Sequence, residues 1–213
     1  MNIAKPDLPD SLEACSPSLI GDSINTDGNL VVGENYENLE LFDSEITESK
    51  FDKVSFQSAK LKGIKIRDCI FNGANFSGAI MSESELIRVK FVNCRMQGVN
   101  LSDSLLQDVQ IIDSLLSMSN LRASKIYSSL FQGCEMLEAD LAFANVAKSR
   151  FQDCRLIKLN INSTRFKDTD LSQSEIVDIN GVASLKGATI DESQMMYLAQ
   201  DFAFAIGVKI KTN

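Results

Sequence analysis

A large apolar residue recurs at every fifth position of the chain over 28 consecutive repeats, without an insertion. The series reads Leu41, Ile46, Phe51, Phe56, Leu61, Ile66, Phe71, Phe76, Met81, Leu86, Phe91, Met96, Leu101, Leu106, Ile111, Leu116, Leu121, Ile126, Phe131, Met136, Leu141, Val146, Phe151, Leu156, Ile161, Phe166, Leu171 and Ile176. Neither the period of a helix nor that of a strand explains this spacing. The pattern therefore predicts a solenoid built from five-residue units.

A second position, two residues before each apolar residue, is restricted to small side chains. Ser, Thr, Ala, Cys or Val occupies 25 of these 28 positions, the exceptions being Leu39, Ile64 and Leu159. Side chains two apart on an extended segment point the same way, so the small and the large residue should both face inward. The other three residues of each repeat should face outward. Such a chain must turn regularly, and its successive coils can pair their backbone groups at a spacing of about 4.8 Å.

The repeats in GANFSGAIM, QGVNLSDSLL and EADLAFANV resemble those of the pentapeptide-repeat family. The resemblance implies an all-β solenoid, a right-handed quadrilateral β-helix with four repeats in each coil. Residues twenty apart should then stack, giving about seven to eight coils. The first predicted interior column is mainly aromatic and reads Phe51, Phe71, Phe91, Ile111, Phe131, Phe151 and Leu171. The second is aliphatic and reads Leu41, Leu61, Met81, Leu101, Leu121, Leu141 and Ile161.

The repeat divides the chain into three regions. Residues 1–35 carry six acidic residues and one lysine, and we expect an acidic cap or arm with LVVG as a strand. Residues 36–190 should form the β-helix, with Tyr36 as the first residue in register. The register breaks at INGVAS and returns one residue early at Leu185 and Ile190. Residues 191–213 should hold a helix, with VKI as a closing strand.

The spacing of apolar residues in DESQMMYLAQDFAFAIG predicts this C-terminal helix. Asp191 or Ser193 is a suitable N-cap, and Gly207 should end the helix. The tail resembles that of bacterial quinolone-resistance pentapeptide proteins and their mycobacterial relative, through LKGATI, Gln194, the LA step at Leu198 and IGVKI. That resemblance implies a homodimer joined through the helix, and a helix that only caps its own coil is the alternative. The residues expected at the dimer seam are Met195, Leu198, Ala199, Phe202 and Ile206.

Composition narrows the classes of function. The chain has 213 residues, 44% of them hydrophobic and 23% charged, which is ordinary for a folded domain. No segment approaches the length of a membrane span and the start lacks a secretory signal, so a cytoplasmic location is expected. The chain has no histidine, hence neither the usual general base nor the usual zinc ligand. We predict no enzyme, no catalytic residue, no cofactor and no metal site.

The five cysteines contain no C-x-x-C pair, and reduced thiols are expected. Four of them fall at the small inward position, namely Cys69, Cys94, Cys134 and Cys154, whereas Cys15 precedes the repeats. Small core thiols are the expectation for these four, with redox or metal roles as the alternative.

The resemblance also implies a partner, since proteins of that branch bind DNA gyrase and topoisomerase IV. They are thought to imitate duplex DNA with an acidic rod, and quinolone protection follows from this. The net charge of −8 agrees with such a role, but residues 50–100 carry +5 and residues 101–145 carry −4. An interaction or scaffold module for another protein is the alternative. Direct binding to nucleic acid or to a membrane is not expected.

Two groups of outward residues are the candidate partner surfaces. The acidic group comprises Asp103, Asp108, Asp113, Glu135, Glu138 and Asp140. Its alternative interpretation is a solvated surface that discourages sheet-edge pairing. The apolar group comprises Leu137, Ile157 and Val177, which should stack into a strip. We expect residues 178–186 or the helix to cover this strip; otherwise it is a surface for a partner.

Overall fold

The computed structural model describes residues 3–14, 19–20, 23–24 and 28–210. Their strands form one 15-stranded parallel sheet and a two-stranded antiparallel pair. The strands are β1 (Glu13–Ala14), β2 (Leu19–Ile20), β3 (Ser23–Ile24), β4 (Asn29–Val32), β5 (Glu45–Thr47), β6 (Lys50–Asp52), β7 (Lys65–Asn72), β8 (Glu85–Val92), β9 (Leu105–Gln107), β10 (Gln110–Ile112), β11 (Lys125–Tyr127), β12 (Leu130–Gln132), β13 (Asn145–Ala147), β14 (Arg150–Ile157), β15 (Arg165–Lys167), β16 (Thr169–Val177) and β17 (Ala188–Thr189). A 3₁₀ turn (Val182–Leu185) and the helix α1 (Glu192–Ala205) follow near the end.

Successive coils pair at a separation of twenty residues. On one side of the solenoid Phe51 pairs with Phe71, and Phe71 with Phe91. Sides without regular strands keep the same spacing through single bridges, such as Ser55 to Asn75. Four five-residue sides therefore make one coil, and central residues from Val31 to Leu171 mark about eight coils. The predicted parallel β-solenoid is confirmed.

The interior is filled by the large residue of each repeat. All 28 central residues are buried, and even Phe166 exposes only 7% of its surface. In the predicted aromatic column the rings of Phe51 and Phe71 stack with centroids 4.7 Å apart, and those of Phe131 and Phe151 at 4.5 Å. A second aromatic stack lies beside the N-terminal part of this column. It comprises Tyr36, Phe56 and Phe76, with centroid distances of 5.2 and 5.0 Å.

Several polar residues at the small inward position link their coil to the coil before it. The hydroxyl then donates to the carbonyl oxygen of the central residue 23 positions earlier, whereas others, such as Ser114 and Ser149, donate to a carbonyl oxygen two residues before them. Ser104 Oγ donates to the Met81 carbonyl over 3.0 Å, and Thr164 Oγ1 to the Leu141 carbonyl over 2.7 Å. This bond explains why Ser and Thr alternate freely with Ala and Val at a buried position.

Cysteines at the same position are buried in the same way. The Cys134 thiol donates to the Ile111 carbonyl over 3.3 Å, and the Cys154 thiol to the Phe131 carbonyl over 3.4 Å. Burial raises the pKa of Cys69 to about 12 and that of Cys94 to about 11, which keeps both thiols protonated. The four therefore lie in the core as small residues, while Cys15 lies outside the described residues.

The register begins one repeat earlier than predicted. Val31 is fully buried and pairs with Phe51, so it precedes Tyr36 as a central residue. The predicted LVVG strand is β4, and β1 pairs with it in parallel. The solenoid therefore extends into the region assigned to the acidic cap. Val31 keeps the five-residue phase, but Asn29 and Glu34, two residues before Val31 and Tyr36, are not small residues, so the second half of the repeat pattern is missing there.

The other end of the solenoid follows the predicted change of register. β17 pairs with β16 at a separation of 19 residues, Thr169 opposite Ala188, so one residue has been lost. α1 then begins after its N-cap, Asp191. The predicted VKI strand is wrong, because residues 208–210 are irregular and the Val208 N–H donates back to the Ala203 carbonyl over 2.8 Å. Within the described ranges no helix has the length and apolar character to cross a membrane.

Candidate protein-interaction surfaces

Ion pairs run along the axis on every side of the solenoid. Arg155 lies between Glu135 and Glu175, at 3.3 Å from each carboxylate. Other pairs join residues of neighbouring coils: Lys60–Glu40 (2.6 Å), Lys62–Glu83 (2.9 Å), Arg67–Glu85 (2.5 Å), Arg88–Asp68 (2.5 Å), Arg122–Asp140 (3.1 Å), Arg150–Asp170 (3.5 Å) and Lys158–Glu138 (3.3 Å). Apart from Arg88–Asp68, whose carboxylate is largely buried, these pairs are exposed and contribute about 0–1 kcal/mol each. Their main consequence is that positive and negative charges alternate over the surface.

The structure does not bring the six candidate acidic residues into one patch. Asp103, Asp108 and Asp113 lie on three successive corners of a single coil and therefore face different sides. Their φ angles of 58°, 55° and 47° are in the left-handed region, which Asp tolerates better than most residues. The other three belong to the next coil and take part in ion pairs; they are Glu135, Glu138 and Asp140. The left-handed backbone of the corners therefore accounts for the three aspartates, and no binding partner is needed to explain them.

The three residues of the apolar strip do stack. Ile157 pairs directly with Val177, and Leu137 lies one coil before Ile157. Each is half-buried, so the strip remains partly accessible. One coil before Leu137 the same position holds Ser117, so the apolar strip ends there, although Met118 at the adjoining corner is 64% exposed. At the other end Val177 and Tyr197 line an open cleft of about 280 Å³ beside the start of α1.

Gln194 fixes α1 on the last coil. Its side chain is buried, and Nε2 donates to the carbonyl oxygens of Leu171 and Ser174 over 2.8 and 2.5 Å. Leu171 precedes Gln194 by 23 residues, the separation that small inward residues use within the solenoid. Gln194 therefore takes the place of the hydroxyl that a further coil would supply. Its Oε1 also accepts from the Asp191 N–H over 2.8 Å, which completes a capping box.

The predicted dimer residues divide between two sides of α1. Leu198 is buried against the core, and Phe202 packs partly against it, so these two hold the helix on its own coil. Met195, Ala199 and Ile206 are exposed, and Ile206 keeps 79% of its surface. An apolar cleft of about 500 Å³ lies next to this exposed flank. It is lined by Ala183, Leu185, Lys186, Gly187, Ala188, Ile190, Phe202, Ala205 and Ile206.

Sequence reasoning missed the most exposed apolar residues of the helix. Met196, Tyr197 and Phe204 expose 75%, 79% and 60% of their surfaces. Tyr197 and Phe204 are seven residues apart and so share one side of the helix. The sequence did contain a signal for this exposed apolar surface, because MMYLAQDFAF is apolar on more than one side of the helix. A helix that only covers its own coil needs a single apolar side.

The solenoid interior offers little room for a ligand. A gap between Leu159 and Phe166 holds about 10 Å³, roughly the minimum for one water molecule. In the part of the chain that the structure describes, no three His, Cys, Asp or Glu residues are grouped to hold a metal ion. The accessible features are the side faces of the solenoid and α1.

Comparisons with known families agree with this architecture. A family profile described as a pentapeptide repeat region matches residues 44–121 and 64–136, and a profile of eight pentapeptide repeats matches residues 134–173. Together they cover well over half of the chain. The chain is a pentapeptide-repeat protein. No curated protein matches its sequence.

Solved structures similar to this pentapeptide-repeat protein come from several sources. HetL, which is involved in heterocyst differentiation regulation in the cyanobacterium Nostoc sp. strain PCC 7120, is 20% identical with a TM-score of 0.33, covering 79% of this chain and 90% of HetL. QnrB1, a plasmid-mediated fluoroquinolone resistance protein, is 18% identical with a TM-score of 0.31, covering 81% and 96%. Rfr23 from the cyanobacterium Cyanothece 51142 is 15% identical with a TM-score of 0.30, covering 64% and 91%. The family assignment rests on the repeats and not on these likenesses.

Proposed function

We propose that this pentapeptide-repeat protein is a non-enzymatic, protein-binding homodimer that acts in the cytoplasm. The observation that carries the proposal is the exposed apolar surface of α1, above all Met196, Tyr197 and Phe204. Contiguous exposed apolar surface on a folded protein marks an association site. The solenoid interior is filled, and its sides carry ladders of paired charge with exposed apolar residues scattered among them, such as Phe42, Met118 and Phe143. In α1 the exposed apolar residues are concentrated, so this helix departs most from a surface built for solvent.

The mode of self-association follows from how α1 is held. Gln194 and Leu198 fix its inner side to the last coil, which leaves the outer side rigid and free. Two copies that meet through this outer side would form a closed dimer about a two-fold axis, with the solenoids pointing away from each other. The adjoining apolar cleft, which ends at Ile206, could receive side chains of the partner's helix.

For the partner outside the dimer we propose a type II DNA topoisomerase, DNA gyrase or topoisomerase IV. This step rests on the resemblance of the tail to that of quinolone-resistance pentapeptide proteins, through LKGATI, Gln194 and IGVKI. DNA mimicry would be partial, because duplex DNA carries about one charge per 1.7 Å of axis whereas the solenoid alternates its charges. Modulation of the enzyme, with some protection against quinolones, is the expected result.

A supercoiling assay with purified gyrase tests this proposal. Titration of the protein should inhibit supercoiling or relieve inhibition by a fluoroquinolone. A charge-reversal variant, Glu135→Lys with Glu175→Lys, should weaken the inhibition or protection if acidic side chains contact the enzyme. Absence of inhibition, of protection and of a gyrase complex in gel filtration would refute the topoisomerase step while leaving the dimer proposal untouched.

The second candidate function is an interaction or scaffold module for another protein. The alternating ion pairs favour it, because a surface of mixed charge suits a protein partner better than an enzyme that binds DNA. In this case the gyrase assay is negative, and the apolar strip of Leu137, Ile157 and Val177 is the first surface to mutate.

A further inference from the structure

The N-terminal arm (residues 3–9) does not cap the end of the solenoid but lies along its flank. The Ala4 N–H donates to Asp108 Oδ1 over 3.2 Å, and the Asp7 N–H donates to Asp68 Oδ1 over 3.0 Å. Pro9 lies near Gly28, 3.8 Å from the position that a Cβ would take there. The arm therefore runs against the direction of coil growth, from the coil of Asp108 to the first coil.

These contacts fall on one vertical row of corner residues, which we name the corner column. It comprises Gly28, Glu48, Asp68, Arg88 and Asp108, each twenty residues after the last and each with a positive φ. Because the repeat fixes their spacing, the carboxylates of Asp68 and Asp108 are two coils apart, or about 9.6 Å.

The arm has a matching period. Pro6 and Pro9 favour polyproline II geometry, which has three residues per turn and rises about 3.1 Å per residue. The N–H groups of Ala4 and Asp7 are one turn apart, so they point the same way and are separated by about 9.3 Å. The length of one turn of the arm thus nearly equals the axial rise of two coils of the solenoid. An extended segment can therefore stay in register with the corner column along its whole length.

Charge supports the same register. Arg88 lies between the two acceptors and holds the Asp68 carboxylate with Nε at 2.6 Å and a terminal nitrogen at 2.5 Å. The Asp68 carboxylate is largely buried, whereas its arginine partner remains more than a third exposed. Asp7 and Asp108 add negative charge near the same guanidinium. Residues 3–9 carry one basic residue, Lys5, and one acidic residue, Asp7, so the arm has no net charge, and Asp7 is its acidic group near Arg88.

We propose that the corner column is a binding site for an extended, proline-containing peptide with one acidic residue placed to meet Arg88, and that the chain's own arm occupies it. A partner segment with N–H donors three residues apart and an acidic residue opposite Arg88 would displace the arm. This inference rests on the arm contacts alone and does not depend on the topoisomerase or dimer proposals.

Hydrogen exchange on the full-length protein tests whether the arm is bound. Residues 3–9 contain two prolines and five amide N–H groups. Two of these, at Ala4 and Asp7, should be protected in the wild type, and the double variant Asp68→Gly/Asp108→Gly, which removes both acceptor oxygens at corners with a positive φ, should take up about two more deuterons there. Asp103→Gly, at a corner that the arm does not contact, should behave as the wild type. Wild-type exchange at the rate of a free peptide would overturn the proposal.

A labelled peptide tests whether the column accepts a segment from another molecule. Ala4→Pro with Asp7→Pro removes both N–H donors from the arm and leaves the solenoid unchanged. A fluorescent peptide with the sequence of residues 2–11 should bind this full-length variant at least about tenfold more tightly than the wild type, whose site is occupied. Lys5→Pro, which removes an N–H outside these contacts, should match the wild type. Equal binding to the Ala4→Pro/Asp7→Pro variant and the wild type would overturn the proposal.

Discussion

The solenoid interior and the C-terminal helix use similar apolar residues but expose them to opposite degrees. Phe91, in the middle of the aromatic column, is fully buried, whereas Phe204 in α1 exposes 60% of its surface. The interior needs each large side chain to fill a coil, and burial of such residues is the main term that stabilises the fold. The helix needs only its inner side for docking. The difference teaches that the core, which stabilises the fold, and the exposed apolar surface, which we propose for association, lie in separate parts of the chain.

The largest expected effect separates these two parts directly. Phe91→Ala should lower the free energy of unfolding by about 3–5 kcal/mol, because it opens a cavity between the Phe71 ring and Ile111. Phe204→Ala should change it by no more than about 0.5 kcal/mol, since that ring is largely in solvent. Denaturant unfolding of both variants, followed by far-ultraviolet circular dichroism, measures the contrast. Similar losses for the two would mean that Phe204 is part of the core.

The next effect concerns the junction between the two parts. Gln194→Ala leaves the Leu171 and Ser174 carbonyls without their partner and should destabilise the docking of α1 by about 1–3 kcal/mol. The helix should then exchange its amide protons faster, while the solenoid amides keep their protection. Gln200→Ala, an exposed glutamine on the same helix, is the matched control. Unchanged exchange in the Gln194 variant would show that Leu198 alone holds the helix.

The smallest effect is a pH dependence at the N-cap. Hydrogen bonds from the Ser193 hydroxyl and the Gln194 N–H lower the pKa of Asp191 from its ordinary value of 3.8. A carboxylate with a lowered native pKa contributes stability above 3.8, and this contribution is lost as the pH falls through the native value. Asp191→Asn keeps the acceptor oxygen but does not titrate. Amide exchange in α1 should be slower in the wild type than in this variant near neutral pH, and equal in both below the native pKa. A difference that persists in acid would contradict this account.

Much of the fold was predictable because the five-residue period fixes both the position of a side chain and its direction. Phe51 and Phe71 had to stack once twenty residues made a coil, and Ser104 had to face inward beside Leu106. The change of register by one residue at β17 was likewise visible in the sequence, because Leu185 comes one residue earlier than the five-residue period requires. The inward direction depends only on the local repeat, whereas the coil of twenty residues was implied by the resemblance to the pentapeptide-repeat family.

The surfaces were less predictable, for physical reasons. Asp103 and Asp113 are near in sequence, but they lie two corners apart on the same coil, so their side chains face different sides of the solenoid. Periodicity identified the apolar helix but did not show which of its sides packs against the last coil. The predicted dimer residues therefore included Leu198, which is buried, and omitted Phe204, which is exposed. The contact between Asp7 and Asp68 joins an irregular segment to a distant corner, and no sequence pattern records such a pairing.

The central claim is that the exposed side of α1 joins two copies of the protein, and light scattering coupled to gel filtration tests it most directly. The account predicts a particle of twice the chain mass of 23.5 kDa for the wild type, and a monomer for Met196→Asp/Phe204→Asp. Met118→Asp, which changes an equally exposed methionine on the solenoid wall, should remain dimeric. A monomeric wild type, or a double variant that stays dimeric, would contradict the claim.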